Sequence, residues 1–125
     1  MALSAPLTHF LVSVHPFDSL SEAEVTALAE QCSVKDYAPG DAVFGIGDQL
    51  SQLCIIAAGE VEIRDNGDVP ISLLGPRNTF GERALLRGSA AQRVAKATVA
   101  STVVFLPSEA FFKLIETSAV AARFF

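Results

Sequence analysis

The chain has 125 residues, 50% of them apolar and 18% charged, with nine basic against fourteen acidic groups for a net charge of −5. That length holds one folded domain with a substantial core, and the composition excludes an extended disordered chain. The acidic balance argues against a general nucleic-acid binder, and the longest apolar run, the six residues Leu53 to Ala58, is far too short for a bilayer-spanning helix.

After Pro6, the residues Leu7, Phe10, Leu11 and Val14 follow helical spacing, and Pro16 ends that segment. Ser21-Glu22-Ala23-Glu24 reads as a capping box, followed by an apolar stripe of Val25, Leu28, Ala29 and Cys32. From residue 34 the punctuation changes, because all eight glycines fall between Gly40 and Gly88. Pro39-Gly40-Asp41 predicts a turn, Gly45 and Gly47 bracket another, and Gln52 to Ala58 predicts a buried strand ended by Gly59. Val61 and Ile63 share one face of an alternating strand. Asp65-Asn66-Gly67-Asp68 then predicts a hairpin with a type I′ turn, returned by Pro70 to Leu74.

A loop follows Gly75-Pro76, then a short helix at about 82–87 and strands at about 93–100 and 102–106. Ser108 is placed to cap a last helix carrying Phe111, Phe112, Leu114 and Ile115. Helices at about 1–33 and 108–125 thus flank short, evenly spaced strands over about 34–106 in one domain. The fold class is mainly β, an antiparallel barrel or jelly roll with flanking helices. The apolar end Ala121-Ala122-Arg123-Phe124-Phe125 is expected to meet a downstream domain of a longer chain or a partner.

Cys32 and Cys54 sit among apolar neighbours and read as buried, reduced thiols. No basic residue precedes Pro6 to mark a signal peptide, so a cytoplasmic location is expected. Catalysis is not expected. His9 and His15 lie six residues apart without metal-ligand spacing, and neither a phosphate loop nor a Gly-x-Ser-x-Gly elbow occurs. Glu22/Glu24 and Glu60/Glu62 read as a capped helix start and the wet face of a strand.

Charge is unevenly placed. Residues 1–76 hold two basic groups against eleven acidic, whereas residues 77–125 hold seven against three. Five basic residues fall between Arg77 and Lys96 beside the single acid Glu82, which points to a small anion rather than a polymer. Inside this stretch, Gly81 permits a tight backbone approach and opens a short helix whose amides suit a phosphate. Glu82 can accept hydrogen bonds from sugar hydroxyls.

The ordered set Pro39-Gly40-Asp41, Gly47-Asp48, Gly59-Glu60-Val61 and Phe80-Gly81-Glu82-x-Ala84-Leu85 resembles the cyclic nucleotide-binding domain family, over about Phe17 to Leu114. The resemblance implies an eight-stranded jelly-roll barrel with helices at both ends. It implies that Gly81, Arg83 and Ala84 offer backbone to a cyclic phosphate and that Glu82 holds the ribose 2′-hydroxyl. The implied ligand is cyclic AMP or another cyclic nucleotide, with no further cofactor and no metal.

One departure stands out. Where the family carries Pro-Arg-Ser/Thr after the cassette helix, this chain has Ala90-Ala91-Gln92, and Ala100 to Pro107 fits the family's last strand in the same register. Loss of that arginine removes a charge-assisted hydrogen bond worth roughly 1.5–3 kcal/mol, or about ten- to a hundredfold in affinity. Arg93 lies two residues on, on the same face of an extended chain and about 6.6 Å along, and is the candidate replacement. The candidate ligand set is therefore Gly81, Glu82, Arg83, Ala84, Ala91, Gln92 and Arg93.

Gly81-Glu82-Arg83 and the ending Ala122 to Phe125 are similar to one bacterial branch, whose signal-transduction proteins follow such a domain with a CBS pair and a nucleotidyltransferase-like region. The primary reading is a ligand-sensing module that relays binding to the helix at 108–116. A second is a degenerate, non-binding domain used for packing or homodimerisation. A third is the sensor half of a transcription regulator, although no helix-turn-helix follows and direct nucleic-acid or membrane contact is not expected.

Overall fold

The capping box at Ser21 forms as read. In the computed structural model, which describes residues 4–125, the Glu24 amide donates to Ser21 Oγ (3.2 Å) and the Ser21 amide donates to Glu24 Oε1 (3.0 Å). Met1-Ala2-Leu3, read above for a leader, lies outside the described residues. Helix α1 spans Ser4–Leu11 and α2 spans Glu22–Ala29. The stripe through Cys32 outruns α2, because the chain tightens after Ala29 into i→i+3 bonds from Gln31 to Leu28 and from Cys32 to Ala29.

Eight strands follow among the described residues: β1 (Ser33–Tyr37), β2 (Ala42–Phe44), β3 (Gln52–Ala58), β4 (Val61–Arg64), β5 (Pro70–Leu74), β6 (Thr79–Phe80), β7 (Val94–Ala97) and β8 (Ser101–Pro107). They form two four-stranded sheets in the orders β1-β8-β3-β6 and β2-β7-β4-β5, with every pairing antiparallel. This is a jelly roll. Helix α3 (Glu82–Arg87) interrupts the strands, and α4 (Ser108–Thr117) and α5 (Ala119–Phe124) close the chain.

The unbroken apolar run of β3 has a direct cause. Its sheet is covered on both faces, so successive residues feed two different cores. Leu53 and Ile55 join Val104 and Leu106 of β8 under the helices, with Leu11, Phe17, Val25, Phe111 and Leu114. Cys54 and Ile56 point the other way, into the barrel with Phe44, Val61, Phe80, Ala95 and Val103.

Three local expectations are corrected. The 65–68 hairpin forms, but neither Asn66 nor Gly67 has positive φ; Asp68 does, at +62°, which is not a type I′ turn. Asp65 Oδ1 accepts from the Gly67 and Val69 amides (2.9 and 3.0 Å) and holds the turn in the other hand, while Arg64 Nη1 donates to Asp68. The strand expected at 93–100 runs only over Val94–Ala97. Ser108 does not cap α4: Pro107 holds the cap position without a side-chain bond, and the Ser108 amide donates to the Ser51 carbonyl (2.9 Å). The serine that caps is Ser118, whose Oγ accepts from the Ala121 amide (3.1 Å) and starts α5. That helix folds back so that the Phe125 ring meets Phe111 edge-on at 5.0 Å and Phe124 meets His15 at 5.1 Å. No helix among the described residues is long and apolar enough to cross a membrane.

Candidate functional site

The site is built where β6 passes into α3. Gly81 sits at φ +87°, a conformation side chains rarely adopt, and a Cβ there would stand at contact distance from Leu50, Cys54 and Phe44. The sharp turn sets Glu82 and Arg83 at the start of α3, and Leu85 anchors the helix in the core. From the other side, the run after α3 is pinned to the Gly45–Asp48 turn. The Ala91 amide donates to the Asp48 carbonyl (2.9 Å), and the Ala91 carbonyl accepts from Gly47 (2.8 Å).

Between these walls lies a cavity of about 450 Å³. All seven residues expected from the sequence, Gly81, Glu82, Arg83, Ala84, Ala91, Gln92 and Arg93, line it. Sequence reasoning missed Arg87, which also lines it, and the apolar wall supplied by Phe44, Leu50, Ile71 and Leu74. Arg87 was findable, four residues from Arg83 and hence on the same helical face. Apart from Leu50, in the loop before β3, the apolar wall comes from strands brought together only by the sheet order. A second cavity, beside Lys35, Tyr37 and Gln49, contains none of the expected residues.

Two features define the chemistry. Glu82 Oε2 is buried and has no hydrogen-bond partner among the described residues, an arrangement that leaves a carboxylate oxygen waiting for a donor. Its charge also acts on the buried Cys54, whose thiol is pushed up to about 12, chiefly by burial and secondarily by Glu82. The second feature is cationic. Arg83, Arg87 and Arg93 are exposed at the rim, Arg87 Nη1 donates to Gln92 Oε1 (3.4 Å), and Arg93 Nη1 donates to the Gln92 carbonyl (3.3 Å). Ala91 itself is buried and contributes only a methyl. No three His, Cys, Asp or Glu side chains gather as metal ligands among the described residues.

Residues 34–118 match the family described as "Cyclic nucleotide-binding domain". The chain is 30% identical over 114 residues to a cAMP-dependent protein kinase regulatory subunit of Mycosarcoma maydis, covering 85% of this chain and 22% of that protein. Its fold superposes on the regulatory domain of Toxoplasma gondii PKA co-crystallised with cAMP, with TM-score 0.88 and 19% identity over 98% of this chain and 48% of that one. It also superposes on the regulatory subunit of a cAMP-independent protein kinase A from Trypanosoma brucei, with TM-score 0.84 and 21% identity over 90% of this chain and 41% of that one. At such identities the structural likeness establishes the fold, and this chain spans less than half the length of each of the three.

Proposed function

Since this chain belongs to the cyclic nucleotide-binding domain family, we propose that it is a regulatory sensor that takes a cyclic nucleotide or a related nucleotide in the α3 cavity. The observation that carries the reading is Glu82 Oε2, buried in the cavity wall without a donor. A ribose hydroxyl is the donor that completes it. In this reading Gly81, Arg83 and Ala84 present backbone to the phosphate, and Ala91, Gln92 and Arg93 form the facing wall.

The relay follows from packing. Leu85 of α3 belongs to the same core cluster as Phe111 and Leu114 of α4, so a ligand that shifts α3 changes the seat of α4. A ligand can bias α4 only by the difference in its affinity for the two arrangements. The domain binds rather than catalyses, acts in the cytoplasm, and passes its state to further domains of a longer chain, as in the bacterial branch with a CBS pair.

A second reading has its own observation. With Ala91 in place of a cation, the pocket is degenerate and the domain serves packing or dimerisation. Calorimetric titration with cyclic AMP, cyclic GMP and 5′-AMP decides between them. Micromolar binding of any of the three supports the sensor, while silence up to millimolar concentration discards it for the packing module.

A further inference from the structure

We infer that the cavity selects a nucleotide with a non-cyclic, doubly charged phosphate (a nucleoside 5′-phosphate), held by Arg87 and Arg93, which both hydrogen-bond Gln92. The inference rests on the nucleotide-site reading above and sharpens its ligand class.

Three guanidinium groups, Arg83, Arg87 and Arg93, line the cavity against one carboxylate, Glu82. Among the described residues none of the three is in an ion pair, whereas Arg64 is held by both Glu62 and Asp68. Arg83 and Arg87 repel each other at i,i+4 on α3, and Arg93 adds to that field from the facing wall. A chain with net charge −5 does not lack acids to place there. An uncompensated cationic excess around a cavity matches a ligand carrying about two negative charges, as a phosphate monoester does near neutral pH. A cyclic phosphate diester carries one.

Geometry places the excess. The position that would put one cation deep in the wall holds Ala91, and its backbone is tied at both ends to Gly47 and Asp48. The cations stand instead at the mouth, where Arg87 and Arg93 both hydrogen-bond the single residue Gln92, through its side chain and its carbonyl respectively. Two guanidinium forks brought together at one residue suit a terminal phosphate with three free oxygens that projects outward from the ribose. Because both arginines are exposed, their attraction passes through water and weakens as salt rises.

The test is calorimetric titration of the whole chain with 5′-AMP, cyclic AMP and adenosine, at low and high salt, repeated on the Arg87→Gln/Arg93→Gln double variant. Both side chains are exposed, and a thermal melt without ligand checks that the variant folds as the parent does. The expected result is 5′-AMP binding at least about tenfold tighter than cyclic AMP, with that preference lost in the double variant and reduced by salt. Cyclic AMP binding as tightly as 5′-AMP, adenosine matching 5′-AMP, or a preference that survives the double substitution overturns this inference and leaves the nucleotide site standing. A salt-independent preference in the parent chain overturns it without any variant. Absence of heat with all three ligands overturns the site reading and this inference together.

Discussion

Gly59 passes so close to Ser101 that a Cβ at position 59 would stand 2.2 Å from Ser101 Oγ and 2.6 Å from the Ala100 carbonyl oxygen. The contact locks the β3–β4 turn to the start of β8, where Ser101 Oγ also accepts from the Glu60 amide (3.0 Å). Gly59 is at φ +92°, so an added side chain meets a strained backbone as well as a clash. Gly59→Ala is expected to cost at least about 2 kcal/mol. Urea denaturation measures it, with Gly75→Ala, where a Cβ meets nothing within 4 Å, as the near-neutral control. Equal midpoints for the two variants would refute the account of this turn.

What the sequence disclosed follows the range of each signal. The strands at Gln52–Ala58, Val61–Arg64 and Pro70–Leu74 and the helix at Glu82–Arg87 were legible because alternation, glycines and an acidic first turn act within a few residues. The hand of the 65–68 turn was not, since the Asp65 side chain overrides the preference of Asn-Gly. That Ser108 leaves α4 uncapped was not legible either, since its amide is bonded to Ser51 across the fold, whereas Ser118 caps the separate helix α5. The site shows the same division. Its cassette was readable, whereas Phe44 and Ile71 reach the cavity only through the pairing of the strands that carry them.

Glu82 should separate ligand binding from folding. Its buried Oε2 gains nothing in the empty site, so Glu82→Gln is expected to leave stability unchanged or slightly raised. Affinity for a ribonucleotide should fall by about tenfold or more, the worth of a hydrogen bond to a charged group. A 2′-deoxyribonucleotide lacks the 2′-hydroxyl that Glu82 would accept from and should bind parent and variant alike. Equal losses for both sugars would remove Glu82 from the role of ribose acceptor.

Ala91→Arg tests the departure from the family. The residue lines the cavity with its backbone pinned by Gly47 and Asp48, so an arginine there extends from a fixed base. It should raise affinity for cyclic AMP by about ten- to a hundredfold, matching one charge-assisted hydrogen bond of roughly 1.5–3 kcal/mol. The gain for 5′-AMP should be smaller, because rim arginines already serve its phosphate. A thermal melt verifies folding and calorimetry reads the affinities. Cyclic AMP binding left unchanged in a folded Ala91→Arg protein would rule out residue 91 as the missing cation's place.

The two thiols make stability depend on pH from the alkaline side. Burial pushes Cys32 up to about 11 from an ordinary value of 9.0, and pushes Cys54 up to about 12 with help from Glu82. Burial raises Tyr37 in the same direction. Below pH 9 both folded and unfolded chains hold these protons, and the stability is fully present. Above it the unfolded chain releases protons that the folded chain retains, so stability falls as pH rises, by about 1.4 kcal/mol per pH unit for each fully linked thiol. Urea midpoints should therefore drop as the pH rises from about 9 to roughly 11. Cys54→Ala should flatten that slope whatever its effect on stability at neutral pH, and Glu82→Gln should flatten it slightly by removing a charge that opposes the thiolate. A slope unaltered in Cys54→Ala would show that the alkaline loss comes from elsewhere in the chain.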